Sequence, residues 1–135
     1  MKNYELIEHT ADVGIRAFGS SLGEMFANAA KGMFNIILGD SDVEAKGEIE
    51  VRLESENLEE LLVDWLSELL YIHEAEAWVF CDFDVVVEGS RLKARVLGET
   101  FDSKKHRIET QIKAVTYHML EVDEKKGYVQ VLFDI

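Results

Sequence analysis

The sequence predicts a single α+β domain over residues 1–135, in which a mostly antiparallel sheet carries two main helices on one face. Three observations lead to this fold class. The length of 135 residues fits one compact domain, and no linker or internal repeat divides it. Two segments repeat apolar residues at helical spacing, and the other apolar residues fall in short runs bounded by turn residues.

The N-terminal third predicts two strands and a helix. Residues 4–8 form a first strand, and residues 13–19 alternate apolar and other side chains as a second strand does. Ser21 and Glu24 match a capping box, in which each side chain satisfies a backbone donor at the start of a helix. Apolar residues then recur at helical spacing until Gly39, where we expect the helix to end.

The middle of the chain predicts a strand, a helix and a hairpin. Residues 48–54 show the clearest alternation in the sequence, which is typical of a half-buried strand with a charged outer face. Asn57 begins a second helix with a wide stripe of Leu and Trp. Residues 78–88 are rich in β-branched and aromatic side chains, and a Gly-Ser turn leads them back into residues 91–97.

The C-terminal third predicts a polar loop at residues 100–106 and two strands, at 112–122 and 128–135. The hairpin loop between these strands contains Gly127, which can supply a positive φ. Residues 107–120 also fit a helix by periodicity, although their β-branched side chains favour a strand. The sequence leaves strand and helix open for this segment.

The charge is concentrated in one part of the sequence. The chain has 14 Lys and Arg against 27 Asp and Glu, a net charge of −13. Residues 40–84 carry that whole excess, whereas residues 91–107 are locally basic. A strongly acidic protein lacks the cations that displace counterions from nucleic acid, so no strong direct nucleic-acid binding is expected.

Composition also indicates the compartment. No apolar run approaches the roughly 20 residues of a membrane span, and the first residues show no secretory signal. Cys81 is the single cysteine, which excludes an intramolecular disulfide and indicates a reducing compartment. We therefore expect a cytoplasmic protein with no membrane partner.

Common catalytic motifs are absent from the sequence. It has no phosphate-binding glycine loop, no His or Cys spacing typical of zinc sites, and no nucleophile elbow, although a triad of distant residues stays open. Cys81 lies in an apolar strand, where we interpret it as an unreactive packed thiol.

Two carboxylates allow a different chemistry. Asp12 lies in the connection at residues 9–12, where it can stabilise a turn or point away from the core. Asp134 follows the last predicted strand, and Ile135 adds an α-carboxylate if the chain ends there. Two such carboxylates joined by a third oxygen ligand would suit Ca²⁺ or Mg²⁺, and a frayed C-terminus is the simpler alternative.

The second helix stacks three acidic residues at four-residue spacing: Glu60, Asp64 and Glu68. Like charges at this spacing destabilise a helix slightly. The stripe is either a solvated face that favours solubility or an acidic surface that docks on a basic partner.

Five blocks of sequence then form one pattern along the whole chain. They are residues 9–14 with 18–19, residues 65–71, residues 98–99 with 102 and 105–106, residues 112–118 with 120–122, and residues 132–135. Together and in this order they resemble the signature of the archease family. Tyr128 stands where many members have Trp, which we interpret as an exchange in packing.

The resemblance implies a small stand-alone protein that is a non-catalytic cofactor of an RtcB-type RNA ligase. Such ligases seal tRNA exon halves and other broken RNAs, using GTP and a divalent metal to guanylylate their own histidine. An archease is expected to promote that activation and repeated turnover in tRNA splicing and RNA repair. GTP and RNA would be handled through the ligase.

The resemblance also implies site residues. The family's metal site corresponds to Asp12, Asp134 and Ile135, the last through a carboxylate or backbone oxygen. Ca²⁺ is the first expectation, with Mg²⁺ and Mn²⁺ as alternatives. Further matches, without a defined chemical role, are residues that could contact a partner or support the metal ligands: His9, Asp64, Glu68, Glu99, Asp102 and His106. For His118 we favour structural packing.

Two other classes of function stay open. One is a metal-binding chaperone or adaptor for RNA-modifying enzymes. The other is a metal-dependent hydrolase built on the same carboxylates.

Overall fold

The computed structural model describes residues 2–9 and 12–135, and this part of the chain forms two antiparallel sheets and two helices. One sheet has the strand order β1-β2-β7-β6, and the other has the order β3-β5-β4. In chain order the elements are β1 (Tyr4–His9), β2 (Asp12–Phe18), α1 (Leu22–Leu38), β3 (Gly47–Glu54), α2 (Leu58–Glu76), β4 (Trp78–Glu88), β5 (Arg91–Thr100), β6 (Ala114–Asp123) and β7 (Tyr128–Asp134).

Both helices begin where the sequence predicts, and α1 also ends there. Ser21 Oγ accepts a hydrogen bond from Glu24 N–H at 3.1 Å, and Gly39 ends α1 with a φ of 58°. Asn57 Oδ1 accepts from Glu60 N–H at 2.8 Å, which starts α2. These caps satisfy backbone donors that the first turn of a helix leaves unpaired.

A single hydrophobic core joins the two sheets. The long helix α1 packs against β2 of one sheet and β4 of the other, whereas α2 packs mainly against β6. The helices meet where the fully buried Trp65 indole N–H donates to the Phe26 carbonyl at 3.0 Å. Because an indole N–H buried without a partner is costly, this bond fixes the contact between the helices.

The predicted fold class is confirmed, with one refinement of the architecture. The strands divide between two sheets, and both helices share the core between them. The ambiguous segment 107–120 contains no helix; it is irregular up to residue 113 and then enters β6. His9 and Asp12 are paired strand residues rather than a loop, and residues 10 and 11 of the predicted connection lie outside the described residues.

Strand β6 contains a bulge that the sequence does not predict. Thr116 pairs with Leu132 and Glu121 pairs with Gln130, so β6 has extra residues in between. Met119 adopts a φ of 55° within this bulge, and its carbonyl accepts from the Gln130 amide at 3.0 Å. The bulge therefore turns towards the neighbouring strand β7.

Cys81 lies at a second irregularity, where the register of β4 shifts against β5. Its thiol is half-buried and donates to the Leu97 carbonyl at 3.5 Å. Burial raises the pKa of this thiol, which agrees with the expected unreactive cysteine. Among the described residues, no helix is long and apolar enough to cross a membrane.

Substitutions at two glycines of the β4–β5 hairpin would test the packing of this sheet. A Cβ at Gly98 would lie 2.0 Å from the Val79 carbonyl oxygen, whereas Gly89 has open space around it at a φ of 59°. We expect Gly98→Ala to lower the free energy of unfolding by about 2 kcal/mol or more, because β4 backbone must move. Urea denaturation followed by circular dichroism measures the change.

Gly89→Asn is the matched control, because Asn tolerates a left-handed backbone. We expect it to cost less than about 1 kcal/mol. Equal losses for the two variants would contradict the close approach of β4 and β5 at Gly98.

Candidate cation and partner-binding site

Asp12 and Asp134 are direct partners in neighbouring strands. The antiparallel register pairs Asp12 of β2 with Asp134 of β7. On either side, the backbone of His9 in β1 pairs with Asp12, and Ala114 in β6 pairs with Asp134. One row of four residues thus crosses the end of the four-stranded sheet, and we call it the Asp12–Asp134 row.

The register places the two carboxylates on the same face of the sheet. Directly opposite residues in antiparallel strands have Cα atoms about 5 Å apart and side chains on one face. Asp12 is half-buried and Asp134 is exposed. Like charges in directly opposite positions destabilise a sheet, so a cation close to both carboxylates would be stabilising.

The main chain around Asp134 is held firmly. Its carbonyl oxygen accepts from Lys113 N–H at 2.7 Å, and the preceding residues Leu132 and Phe133 are fully buried. Ile135 follows at the surface with 42% of its area exposed. The end of β7 therefore presents Asp134 and Ile135 from a fixed backbone.

The donor set suits a hard cation. Asp12, Asp134 and the main-chain oxygen of Ile135 offer oxygen atoms only, which are the ligands that Ca²⁺, Mg²⁺ and Mn²⁺ take. Within residues 2–9 and 12–135, no group of three or more His, Cys, Asp or Glu side chains could hold a metal ion. A cation held by these few oxygen atoms would keep further positions for water or for a partner's oxygens, and the site stays a prediction.

The acidic stripe of α2 lies on the surface beside the β6 bulge. Asp64 is exposed and accepts from Ser55 Oγ at 2.6 Å, and Glu68 is half-buried one turn later. Glu60 accepts from the Tyr117 hydroxyl at 3.0 Å, and this bond raises the pKa of Tyr117. Asp64 and Glu68 belong to a helix that packs mainly against β6, so they do not form part of the Asp12–Asp134 row.

Glu99 and His106 meet in a buried polar network, and exposed Asp102 joins it through its backbone N–H. Glu99 is 7% exposed and His106 is 3% exposed. One oxygen of Glu99 accepts from Glu44 N–H at 2.7 Å and lies 3.0 Å from His106 Nε2. Lys105 Nζ lies 2.9 Å from the same carboxylate.

The hydrogen bonds of His106 define its tautomer. Asp102 N–H donates to His106 Nδ1 at 2.9 Å, so Nδ1 is an acceptor and carries no proton. Nε2 then carries the hydrogen and donates it to Glu99. The imidazole is therefore neutral and fixed at both nitrogens.

Glu99 is ionised in this network. The Glu44 N–H bond and the Lys105 ammonium lower the pKa of Glu99 from its ordinary value of 4.5 to about 2. The carboxylates of Glu44 and Glu99 in turn raise the pKa of Lys105. Glu99 and His106 are buried, and their two predicted roles, contact with a partner or support of the metal ligands, stay predictions.

The segregation of charge along the sequence does not persist in space. Strand β5 carries the bases Arg91, Lys93 and Arg95, but it lies between the acidic strands β3 and β4. Arg95 is within 3.2 Å of Glu48, and Arg91 is within 3.2 Å of Glu54. Arg91 and Arg95 therefore pair with acids of the neighbouring strand β3, and the absence of strong nucleic-acid binding stays a prediction.

Sequence reasoning missed the residues that complete the buried network. Glu44 and Lys46 both contact Glu99, and the Ser41 hydroxyl bonds to Arg107. All three lie in the irregular segment between α1 and β3. No periodic pattern marks such residues, so no signal in a single sequence identifies them.

Comparison with known proteins agrees with the fold and the motifs. The model of the archease protein family matches residues 4–135. A protein archease of Pyrococcus abyssi is 44% identical over 128 residues, covering 92% of this chain and 90% of that protein. A protein archease of Methanosarcina mazei is 46% identical over 141 residues, covering 99% of this chain and 97% of that protein.

Solved structures show the same architecture. The solution structure of a Methanobacterium thermoautotrophicum protein superposes with a TM-score of 0.85 at 38% identity, covering all of both chains. The crystal structure of a Thermotoga maritima archease, described as a possible chaperone, gives a TM-score of 0.59 at 25% identity and covers 97% of this chain and 96% of that one. This chain belongs to the archease family.

The ionisation of Glu99 predicts a specific dependence of stability on pH. The unfolded chain binds a proton at Glu99 more readily than the folded protein does, so this group stabilises the fold fully above pH 4.5. That contribution is lost as the pH falls towards about 2. We expect the difference in unfolding free energy between wild type and Glu99→Gln to shrink across this range.

Urea unfolding at a series of pH values measures this difference. Glu50→Gln is a comparison variant, because Glu50 is a solvent-exposed carboxylate whose pKa is lowered by Arg52. A difference for Glu99→Gln that does not change with pH would contradict the ionised state of Glu99.

Proposed function

We propose that this protein is a non-catalytic activator of an RtcB-type RNA ligase. It promotes guanylylation of the ligase histidine and multiple turnover in tRNA splicing and RNA repair, within the cytoplasm. Two findings support the proposal: membership of the archease family, and the direct pairing of Asp12 with Asp134 at the exposed end of a buried sheet. The proposed mechanism depends on the pairing of Asp12 with Asp134.

The Asp12–Asp134 row provides a binding point for a divalent cation. Asp12 and Asp134 would hold the ion through their carboxylates and Ile135 through a main-chain oxygen, with Ca²⁺ first and Mg²⁺ or Mn²⁺ as alternatives. Such an ion, when bound, supplies positive charge that neutralises phosphate oxygens. The protein's own part is to bind and orient at a fixed sheet end, while the ligase handles GTP and RNA.

The acidic stripe of α2 would guide docking. Asp64 is exposed, Glu68 is half-buried, and neither makes an ion pair within the described part of the chain. An RNA ligase must present basic surface to its substrate, and a negative surface accelerates encounter with such a partner. The two acids are therefore assigned to partner binding.

Removing either row carboxylate is the central test. Asp12→Asn and Asp134→Asn keep the size of the side chain, and we expect each to weaken Ca²⁺ binding by at least roughly tenfold because ligand charge sets affinity. Both variants should also lose acceleration of RNA ligation by the cognate ligase with GTP and metal. Isothermal titration and single- and multiple-turnover ligation measure the two effects.

Glu5→Gln is the matched control for these variants. Glu5 pairs with Arg16 in the same sheet, away from the row, and its carboxylate forms an ion pair with exposed Lys2. We expect it to bind metal and stimulate ligation as wild type does. Full stimulation by Asp12→Asn and Asp134→Asn would refute the metal-site mechanism.

Charge removal on α2 tests the docking surface. We expect the double variant Asp64→Asn, Glu68→Gln to associate with the ligase several-fold more slowly at low salt, with the difference fading at high salt. Glu74→Gln, Glu76→Gln removes the same charge at the C-terminal end of the helix and should change the rate less. Stopped-flow or surface-resonance kinetics measure these rates, and equal slowing would show an effect of net charge alone.

A second candidate function is a metal-binding chaperone or adaptor for RNA-modifying enzymes. The description of the Thermotoga maritima structure as a possible chaperone favours it. This function predicts protection of unrelated clients from aggregation without GTP or RNA ends. Light scattering of a heated client with and without the protein separates the two candidates.

A further inference from the structure

Residues 101–113 connect the two sheets without regular secondary structure, and we call this segment the strap. It leaves β5 of one sheet and enters β6 of the other, next to Asp134. Irregular segments of this length inside a small domain are uncommon, and their backbone groups need partners that no strand ladder supplies. The partners of the strap are therefore informative about its role.

The first part of the strap is a closed turn anchored in the buried network. The Asp102 carbonyl accepts from Lys105 N–H at 2.9 Å and from His106 N–H at 2.7 Å. The His106 ring accepts a hydrogen bond from Asp102 N–H at Nδ1 and donates one to Glu99 from Nε2. His106 is thus the link that fastens this turn to β5.

The middle of the strap lies along the end of α1. Ser41 Oγ accepts from Arg107 N–H at 2.9 Å, and Glu109 N–H donates to the Ile37 carbonyl at 2.8 Å. The Glu109 side chain fills the space beside Gly39, where a Cβ would lie 2.3 Å from its Oε2. These contacts hold the middle of the strap against the C-terminal end of α1.

The last part of the strap reaches the Asp12–Asp134 row. Ile112 is buried in the core with 1% of its area exposed, and Lys113 N–H donates to the Asp134 carbonyl at 2.7 Å. A continuous series of contacts therefore runs from His106 to the main chain of Asp134. The buried network and the row are two ends of one segment.

We propose that His106, held by Glu99, is a positioning residue that fixes the strap and so orients the carboxylate of Asp134 opposite Asp12. The effect of His106 on cation binding rests on the cation site proposed above. Its structural part, control of the strap by His106, stands on the contacts alone. Neither residue touches the cation ligands, so both act at a distance through the strap.

The experiment compares His106→Ala with Lys104→Ala. Lys104→Ala removes a charge from the same turn while keeping its backbone N–H bond to the Asp102 carboxylate at 2.9 Å. In His106→Ala we expect the amides of Glu109 and Lys113 to exchange with solvent roughly 5- to 10-fold faster, because local opening becomes easier. The Val131 amide in the β2–β7 ladder should not change, and Lys104→Ala should match wild type throughout.

Ca²⁺ titration of the same variants gives the functional readout. We expect His106→Ala to bind Ca²⁺ several-fold more weakly, and His106→Gln to recover part of both effects because its amide can still donate to Glu99. If His106→Ala does not fold, the comparison of His106→Gln with Lys104→Ala decides the result. A general loss of stability would instead accelerate exchange in every strand.

The outcomes separate the two proposals. Unchanged strap exchange in folded His106 variants overturns the positioning role, whatever the metal affinity. Faster strap exchange with unchanged Ca²⁺ affinity overturns the link from the strap to the row. Wild-type protein that binds no Ca²⁺ overturns the cation site, while the exchange data still decide whether His106 controls the strap.

Discussion

The pairing of β2 with β7 is the constraint on which the rest of the structure depends. These two central strands bring residue 12 against residue 134 through an unbroken antiparallel register. Their inner faces contribute Ile15, Val131 and Phe133 to the core, all fully buried. A slip of one residue would turn these side chains outward, so the hydrophobic core itself fixes the register and the Asp12–Asp134 row.

Close packing across this pair strengthens the same constraint. Gly14 lies under the Leu132 side chain, and a Cβ at that position would be 2.4 Å from Leu132 Cδ2. Leu132 is fully buried and pairs directly with Gly14, whose missing side chain leaves room for it. This close packing limits movement of β2 against β7, and the proposed cation site needs such a fixed arrangement because it has few ligands.

The polar network around Glu99 stabilises a buried charge. Burying an ionised carboxylate such as Glu99 is unfavourable unless opposite charge and hydrogen-bond donors compensate it. A backbone N–H, two ammonium groups and an imidazole N–H surround it, drawn from the segment before β3 and from the strap. The cost of burial is offset only when these irregular segments occupy one arrangement, so the network gives them a defined structure.

The sequence by itself determined the secondary structure, because helix caps, apolar spacing and turn glycines act over a few residues. Ser21 and Asn57 mark the starts of both helices and Gly39 marks the end of α1, while alternation and β-branched content placed the strands outside residues 107–120 to within a few residues. The chemistry of Asp12 and Asp134 as candidate ligands was also readable from their residue types, and the family motifs named them. Residues 107–120 stayed ambiguous because helical and strand patterns overlap there.

Only the tertiary structure decided which distant residues meet. Division of the strands into two sheets, the bulge in β6 and the cancellation of charge around β5 all depend on pairings between segments far apart in sequence. Asp12 and Asp134 meet through a strand register, and His106 reaches the row through a strap without periodicity. Such contacts arise from packing of the whole chain, and no local pattern encodes them.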